Sequence, residues 1–153
     1  MTLEFEARLG KNTGRTVSSD IGVQLYERVL KVLNSSNYIS KNESTITYNH
    51  YNTNIRESGN NYETKKKLYS TDLKKGKHNI RFSISEESPV TNVNASTLSY
   101  KFTREKHRMR FEYKMWFIDI THVINSNTYE LEIELKDEQY GITHSKEFIQ
   151  KIL

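Results

Sequence analysis

A chain of 153 residues with ten Tyr, six Phe and one Trp has enough large packing groups for one folded domain spanning 1–153, and too many aromatics for a disordered chain. With no cysteine, disulfides and thiolate metal sites are excluded, so a bound metal must rest on oxygen or imidazole, which favours Mg²⁺, Mn²⁺ or Ca²⁺. No run of about 18 apolar residues is present, which argues against a membrane span, and the opening Met1-Thr2-Leu3-Glu4-Phe5-Glu6 has no charged-then-apolar leader, which points to an intracellular protein.

The first element is a half-buried strand over 3–9, where Leu-Glu-Phe-Glu-Ala-Arg-Leu alternates apolar and charged groups up to Gly10. Ile21, Leu25, Val29 and Val32 recur at helical spacing and predict a helix over 20–33, capped by Ser19 or Asp20 and stopped by Asn34. Strands follow near 44–52, 54–58, 62–69, 78–86, 97–106, 107–115, 116–124 and 128–136, separated by Asn, Gly and Ser. The single proline, Pro89, is expected to end one of them. A short helix over 143–152, with Phe148, Ile149 and Ile152 on one face, closes the chain. The pattern predicts a mostly antiparallel β-domain with one or two flanking helices, closed into a barrel so that no edge remains.

Side chains alternate along a strand, so Glu4, Glu6 and Arg8 share one face of the first strand. Near the other end, Glu130, Glu132 and Glu134 share a face opposite Tyr129, Leu131, Ile133 and Leu135. The apolar faces must pack, and the charged ones must meet either bulk water or a lumen. Glutamates facing one another at contact distance repel by roughly 4 kcal/mol at an effective dielectric of about 20. Two such rows turned inward would therefore need a cation, and carboxylate ligands suit Mg²⁺ or Mn²⁺.

The net charge of +4 alone hints only weakly at an anionic partner, but its distribution is uneven. Arg104, Lys106, Arg108 and Arg110 recur at a period of two and form one cationic stripe if the segment is a strand. Such a stripe is either a solvated edge or a contact surface for phosphate oxygens, which the guanidinium fork matches. Arg56, Lys65–Lys67 and Arg81 add further bases. Asp119 and Thr121 lie on one parity of a largely apolar strand, where an aspartate is costly unless paired, and the arginine stripe is the obvious partner. The five histidines show no metal-ligand spacing, and no Gly-rich phosphate loop or nucleophile elbow is present.

In this order the motifs resemble the metal-dependent RNA 5′-triphosphatases of mRNA capping, of the fungal, protist and large-DNA-virus type, which are triphosphate tunnel metalloenzymes. Glu4-Phe5-Glu6-Ala7-Arg8 resembles the family's opening Glu-x-Glu strand with its following base. Lys65-Lys66-Lys67-Leu68 resembles a basic element of the tunnel wall, and Arg81-Phe82-Ser83-Ile84-Ser85-Glu86-Glu87 a strand whose last glutamate precedes a Pro-Val turn. Arg104-x-Lys106-x-Arg108, Asp119-x-Thr121 and Glu130-x-Glu132-x-Glu134 complete the series. The resemblance implies a closed tunnel of eight antiparallel strands and a dependence on Mg or Mn. Glu4, Glu6 and Glu134 would hold the metal, Glu132 would orient the attacking water, and Glu130 would support a wall base. Arg8, Lys65, Arg81, Arg104, Lys106 and Arg108 would grip the triphosphate, with Arg56, Glu87, Arg110, Asp119 and Thr121 in support. The implied substrate is triphosphate-ended RNA, handed on to a guanylyltransferase domain or protein. The implied setting is the nucleus or a cytoplasmic viral factory, without a membrane. The related activities on inorganic triphosphate, thiamine triphosphate or NTP usually go with Glu-x-Glu-x-Lys, whereas this chain has Glu-x-Glu-x-Arg. One position departs from the family pattern: an arginine often found two residues before the aspartate is Phe117 here, and Arg110 is the expected substitute.

Overall fold

The computed structural model describes residues 1–14, 16–36 and 40–143. In chain order the strands are β1 (Thr2–Asn12), β2 (Val17–Ser18), β3 (Ser40–Tyr51), β4 (Ile55–Ser58), β5 (Asn61–Lys75), β6 (His78–Val90), β7 (Tyr100–Tyr113), β8 (Trp116–Val123) and β9 (Thr128–Leu135), with helix α1 (Val23–Asn34) between β2 and β3. The sheet runs β1-β6-β5-β4-β3-β7-β8-β9 and closes on itself through β1 and β9, giving an eight-stranded antiparallel barrel, and β2 folds back on the end of β1. Glu6 stands opposite Glu134 and Arg8 opposite Glu132 across the closing seam.

The barrel is inverted relative to an ordinary core. Glu130 is 2% and Glu132 6% exposed, so the charged faces point into the lumen rather than to bulk water. The apolar faces point outward, and α1 covers part of that outside. Ile21, Tyr26, Leu33, Met109, Phe111 and Ile120 make the buried hydrophobic cluster there, with Leu9, Ile118, Tyr129 and Leu131 against it. Burying these charges is tolerated because acids and bases in the shared interior neutralise one another.

Several boundaries differ from the sequence expectation. The two strands expected over 97–106 and 107–115 are one continuous strand, β7, because the unbroken alternation carries through Glu105–Arg108 with no turn residue. Pro89 lies inside β6 opposite Glu63 instead of ending it. It is tolerated because β1 begins at Thr2, opposite Glu87, which leaves Pro89 without a neighbour on that side. Strand β5 runs on to a tight turn at Gly76, and β6 runs on to Val90. The helix starts at Val23, not residue 20, since Gly22 holds φ 80° at its N-cap. Asp20 accepts hydrogen bonds from the backbone N–H of Gly22 and of Tyr129, tying the helix start to β9. Ile21 is buried but precedes the helix, and Val32 is exposed; Tyr26 and Leu33 join the expected Leu25 and Val29 on its inner face. The closing helix expected over 143–152 lies, apart from Thr143, outside the described residues; the stretch 138–143 is helical.

Gly10 does not end β1, which continues to Asn12. Its role is steric: a Cβ there would sit 2.8 Å from the Ser18 carbonyl oxygen of β2. Gly10→Ala should therefore destabilise the fold by about 1–3 kcal/mol through overpacking, read as a lowered urea midpoint with an unchanged slope.

Candidate functional site

Apart from Lys66, the charged strand positions singled out in the sequence fall on the inward parity of the barrel, and the register brings acid and base together. Strand β1 supplies Glu4, Glu6 and Arg8, and β9 supplies Glu130, Glu132 and Glu134. Arg8 lies 2.7 Å from Glu132 and 3.8 Å from both Glu6 and Glu130. Arg104 donates to Glu130 at 3.0 Å. Lys65 donates to Glu4 at 2.8 Å and stands 3.6 Å from Glu87, which also accepts from Arg56 at 3.2 Å. Arg110 makes two 2.7 Å hydrogen bonds to Asp119 and one of 3.0 Å to Glu134, while Arg108 Nε is 3.9 Å from Asp119. Thr121 is buried beside Arg108 in register.

Two carboxylate pairs stand out. Glu6 and Glu132 are within hydrogen-bond reach of each other; burial and the Glu132 charge push Glu6 far above the ordinary carboxylate range. Burial also presses Glu132 upward, but Arg8 and the proton shared with Glu6 outweigh it and hold Glu132 low. Glu87 is pushed up to about 7 by burial and by its neighbour Glu4. Burial opposes the charge of Glu4 too, yet Lys65 keeps it low. Like-charged groups held this close in a buried wall form an oxygen-rich place that a hard cation would neutralise. Among the described residues no three acidic or imidazole groups already converge as a metal centre, and Glu134 leans instead on Arg110.

The bases show the complementary feature. Nε of Arg8 and Nε of Arg108 are buried with no hydrogen-bond partner among the described residues. A buried donor left unpaired costs about 1–3 kcal/mol, which a phosphate oxygen in the lumen would recover. Lys106 is 7% exposed, and among the described residues no carboxylate lies within ion-pair distance of it; its ammonium lies 5.4 Å from the Tyr48 ring centroid. Arg81 stands apart from this group. It is held by Asp72 through two hydrogen bonds, of 2.8 and 3.1 Å, and is more exposed than the other wall bases. At Phe117, the guanidinium of Arg110 lies 4.2 Å over the ring, so a base from β7 fills the space beside the aromatic side chain on β8.

The family described as mRNA capping enzyme, beta chain, matches residues 65–150, the span from β5 through the closing strand β9. The chain belongs to this family of RNA triphosphatases. No curated protein matches it closely enough to add to that. Among solved structures, the barrel is similar to the RNA triphosphatase Pct1 of S. pombe, at 21% identity and a TM-score of 0.75 over 99% of this chain and 76% of that one. The same protein in complex with the Spt5 CTD gives 20% identity and 0.75 over 89% and 71%. The Mimivirus capping enzyme triphosphatase gives 17% identity and 0.56 over 99% and 89%. These likenesses establish the tunnel fold. Among the described residues no helix is long and apolar enough to cross a membrane.

For this capping-family tunnel, some lumen residues escaped the sequence reading. Glu63, 2.5 Å from Arg56, shares the parity of Lys65 and Lys67, and that period of two was the available signal. Tyr48 receives Arg56 over its ring at 4.7 Å as well as Lys106. Its strand, β3, has little apolar alternation to mark an inward face.

Lys106 gives the tunnel a pH response. Burial, reinforced by Arg104 and Arg108, lowers its pKa to about 8 against the opposing pull of Glu132 and Glu130. Folded Lys106 thus binds fewer protons than the unfolded chain between about pH 8 and 10, so its cost to stability is greatest below pH 8 and fades as pH rises. Its charge, needed for an anion, is lost as pH passes through about 8. Affinity for inorganic triphosphate should drop between about pH 7 and 9 in the native protein. It should drop less in Lys106→Arg, whose guanidinium stays charged; calorimetric titration of the two side by side measures the difference.

Proposed function

We propose that this protein is a divalent-metal-dependent RNA 5′-triphosphatase that removes the γ-phosphate of triphosphate-ended nascent mRNA in the first step of cap formation. The observation that carries the proposal is the buried Glu6–Glu132 pair set against Arg8, Lys65, Arg104, Lys106 and Arg108 inside one closed barrel. The donor set of carboxylate oxygens fits Mg²⁺ or Mn²⁺, with Glu4, Glu6 and Glu134 as the residues that would hold it. When bound, such an ion supplies positive charge against the phosphate oxygens.

The chain's own residues do the rest. Arg8, Lys65, Arg81, Arg104, Lys106 and Arg108 bind and align the triphosphate. Glu130 fixes Arg8 and Arg104, and Asp119 fixes Arg108 and Arg110. Arg56 and Glu87 brace Lys65, Arg110 braces Glu134, and Thr121 packs beside Arg108. Glu132 accepts a hydrogen bond from the attacking water and orients it. The water oxygen bonds to the γ-phosphorus as the bond to the β–γ bridging oxygen breaks, giving inorganic phosphate and a 5′-diphosphate end. Positioning and charge neutralisation supply most of the rate. The diphosphate end then suits a guanylyltransferase, as a further domain or a separate protein, in the nucleus or a cytoplasmic viral factory.

The test is phosphate release from triphosphate-ended RNA and from inorganic triphosphate, with Mg²⁺, Mn²⁺ or a chelator. Metal-dependent release from RNA supports the proposal. Faster release from the free triphosphate would point to a tunnel hydrolase of small triphosphates. Tight binding without turnover would leave a polyanion-binding barrel, a reading to which Phe117 lends some weight.

A further inference from the structure

At the start of β7, the inward parity carries two aromatic residues, Tyr100 and Phe102, before the basic run from Arg104 to Arg110. Phe102 precedes Arg104, Lys106 and Arg108 on the same face, and it is 49% exposed. Its register partner on β3 is His50, and the two rings stack with centroids 4.5 Å apart and planes 18° from parallel. With about half its surface exposed, Phe102 gains only part of the burial free energy of a core phenylalanine. The stack with His50 takes up one face of the Phe102 ring, and about half of the residue's surface still remains exposed. Burial, together with Arg56, Arg104 and Lys106, lowers the His50 pKa, so the imidazole is neutral at neutral pH and adds a second uncharged aromatic plane.

Position along the strand gives this platform a meaning. At about 3.3 Å per residue, Lys106 lies about 13 Å further into the tunnel than Phe102. That span is comparable to the reach from a 5′-terminal base, through its ribose, to the γ-phosphate. A group held with its terminal phosphate beside Lys106 and Arg8 would place its base at the rim. We infer that Phe102, backed by His50, is a stacking subsite for the first nucleobase of a triphosphate-ended RNA. This inference rests on the reading of the tunnel as an RNA triphosphatase. Stacking on an aromatic face tolerates any base, as a reaction on every nascent transcript requires. Inorganic triphosphate has nothing to place there.

The experiment compares native protein, Phe102→Leu and Phe102→Trp on a triphosphate-ended trinucleotide RNA and on inorganic triphosphate, taking the ratio of the two kcat/KM values. Leucine keeps apolar bulk and removes the π face; that ratio should fall at least about fivefold, the loss of one base–aromatic stack, while tryptophan preserves it. A second readout is independent of turnover. Base protons of the bound trinucleotide should shift upfield through the ring current in the native protein and in Phe102→Trp, but not in Phe102→Leu. An unchanged ratio with no ring-current difference overturns the subsite and leaves the phosphatase reading standing. Failure of native protein to hydrolyse either compound overturns the phosphatase reading instead, and the ring-current comparison still decides the stack.

Discussion

Replacing Glu132 by glutamine is expected to lower kcat for metal-stimulated phosphate release by about a thousandfold or more while leaving KM nearly unchanged. The side chain is buried, and the substitution preserves its shape, so folding should survive. What disappears is the charge that faces Glu6 and accepts from Arg8 at 2.7 Å. A group that orients or accepts a proton from the attacking water contributes about two to four powers of ten, and the loss falls on kcat because the contact matters in the transition state. Arg8, relieved of its closest carboxylate, stays available to the phosphates, so ground-state binding should hold. Glu6→Gln should also abolish activity, but with a weaker response to added Mn²⁺, which separates a cation-holding side chain from a water-orienting one. Glu105→Gln, on the outer face of β7, serves as the control that should behave as native. Full turnover in Glu132→Gln would remove the assignment.

The second large effect is on stability. Asp119 is 2% exposed and accepts two 2.7 Å hydrogen bonds from Arg110, with Arg108 a further neighbour. Asp119→Ala leaves Arg110 with Glu134 as its remaining carboxylate and takes the carboxylate nearest Arg108, and breaking a buried pair in this way costs about 3–5 kcal/mol. For a chain of this size that is a drop in Tm of roughly 6–20 °C. The double variant Asp119→Leu/Arg110→Met, which removes the principal pair together, should recover much of the loss without recovering phosphate release. If the single variant melts with the native protein, the pairing has no structural weight.

Much of this was legible in the sequence because the barrel is built from period two. The Glu4–Glu6–Arg8 and Glu130–Glu132–Glu134 rows name their own strands and show that each has one charged face. Spacing alone left open which side that face occupies; the expected barrel closure and the family resemblance pointed to a lumen, and the barrel bears this out. Only closure of β1 on β9 turns a wet surface into a lumen, and closure is a long-range fact. The merging of two expected strands into β7 has the same character. Lys106 and His107 read as a possible break, but pairing with β3 and β8 on both sides carries the strand through. The helix face was misread locally. Ile21 and Val32 fit a helical spacing, yet Gly22 breaks the helix from the preceding residue, and Tyr26 turns inward to meet Tyr129 at 4.7 Å. Individual acid–base partners, such as Arg110 with Glu134, depend on side-chain reach across strands and left no mark in the spacing.

The seam between β1 and β9 also bears on how the molecule comes to be. Arg8 and Glu132 meet although they are 124 residues apart in sequence. Joining such distant strands incurs a large loop-closure entropy before any contact rewards it, which makes barrels of this kind slow to fold. The six ladders from β6 round to β9 can assemble while β1 is still searching. Until it docks, Glu4, Glu6 and Arg8 are absent from the lumen, and two strand edges lie open to other chains. Recovery of phosphate release after dilution from urea should therefore lag behind recovery of β-sheet signal, so that catalysis serves as the clock for the last strand.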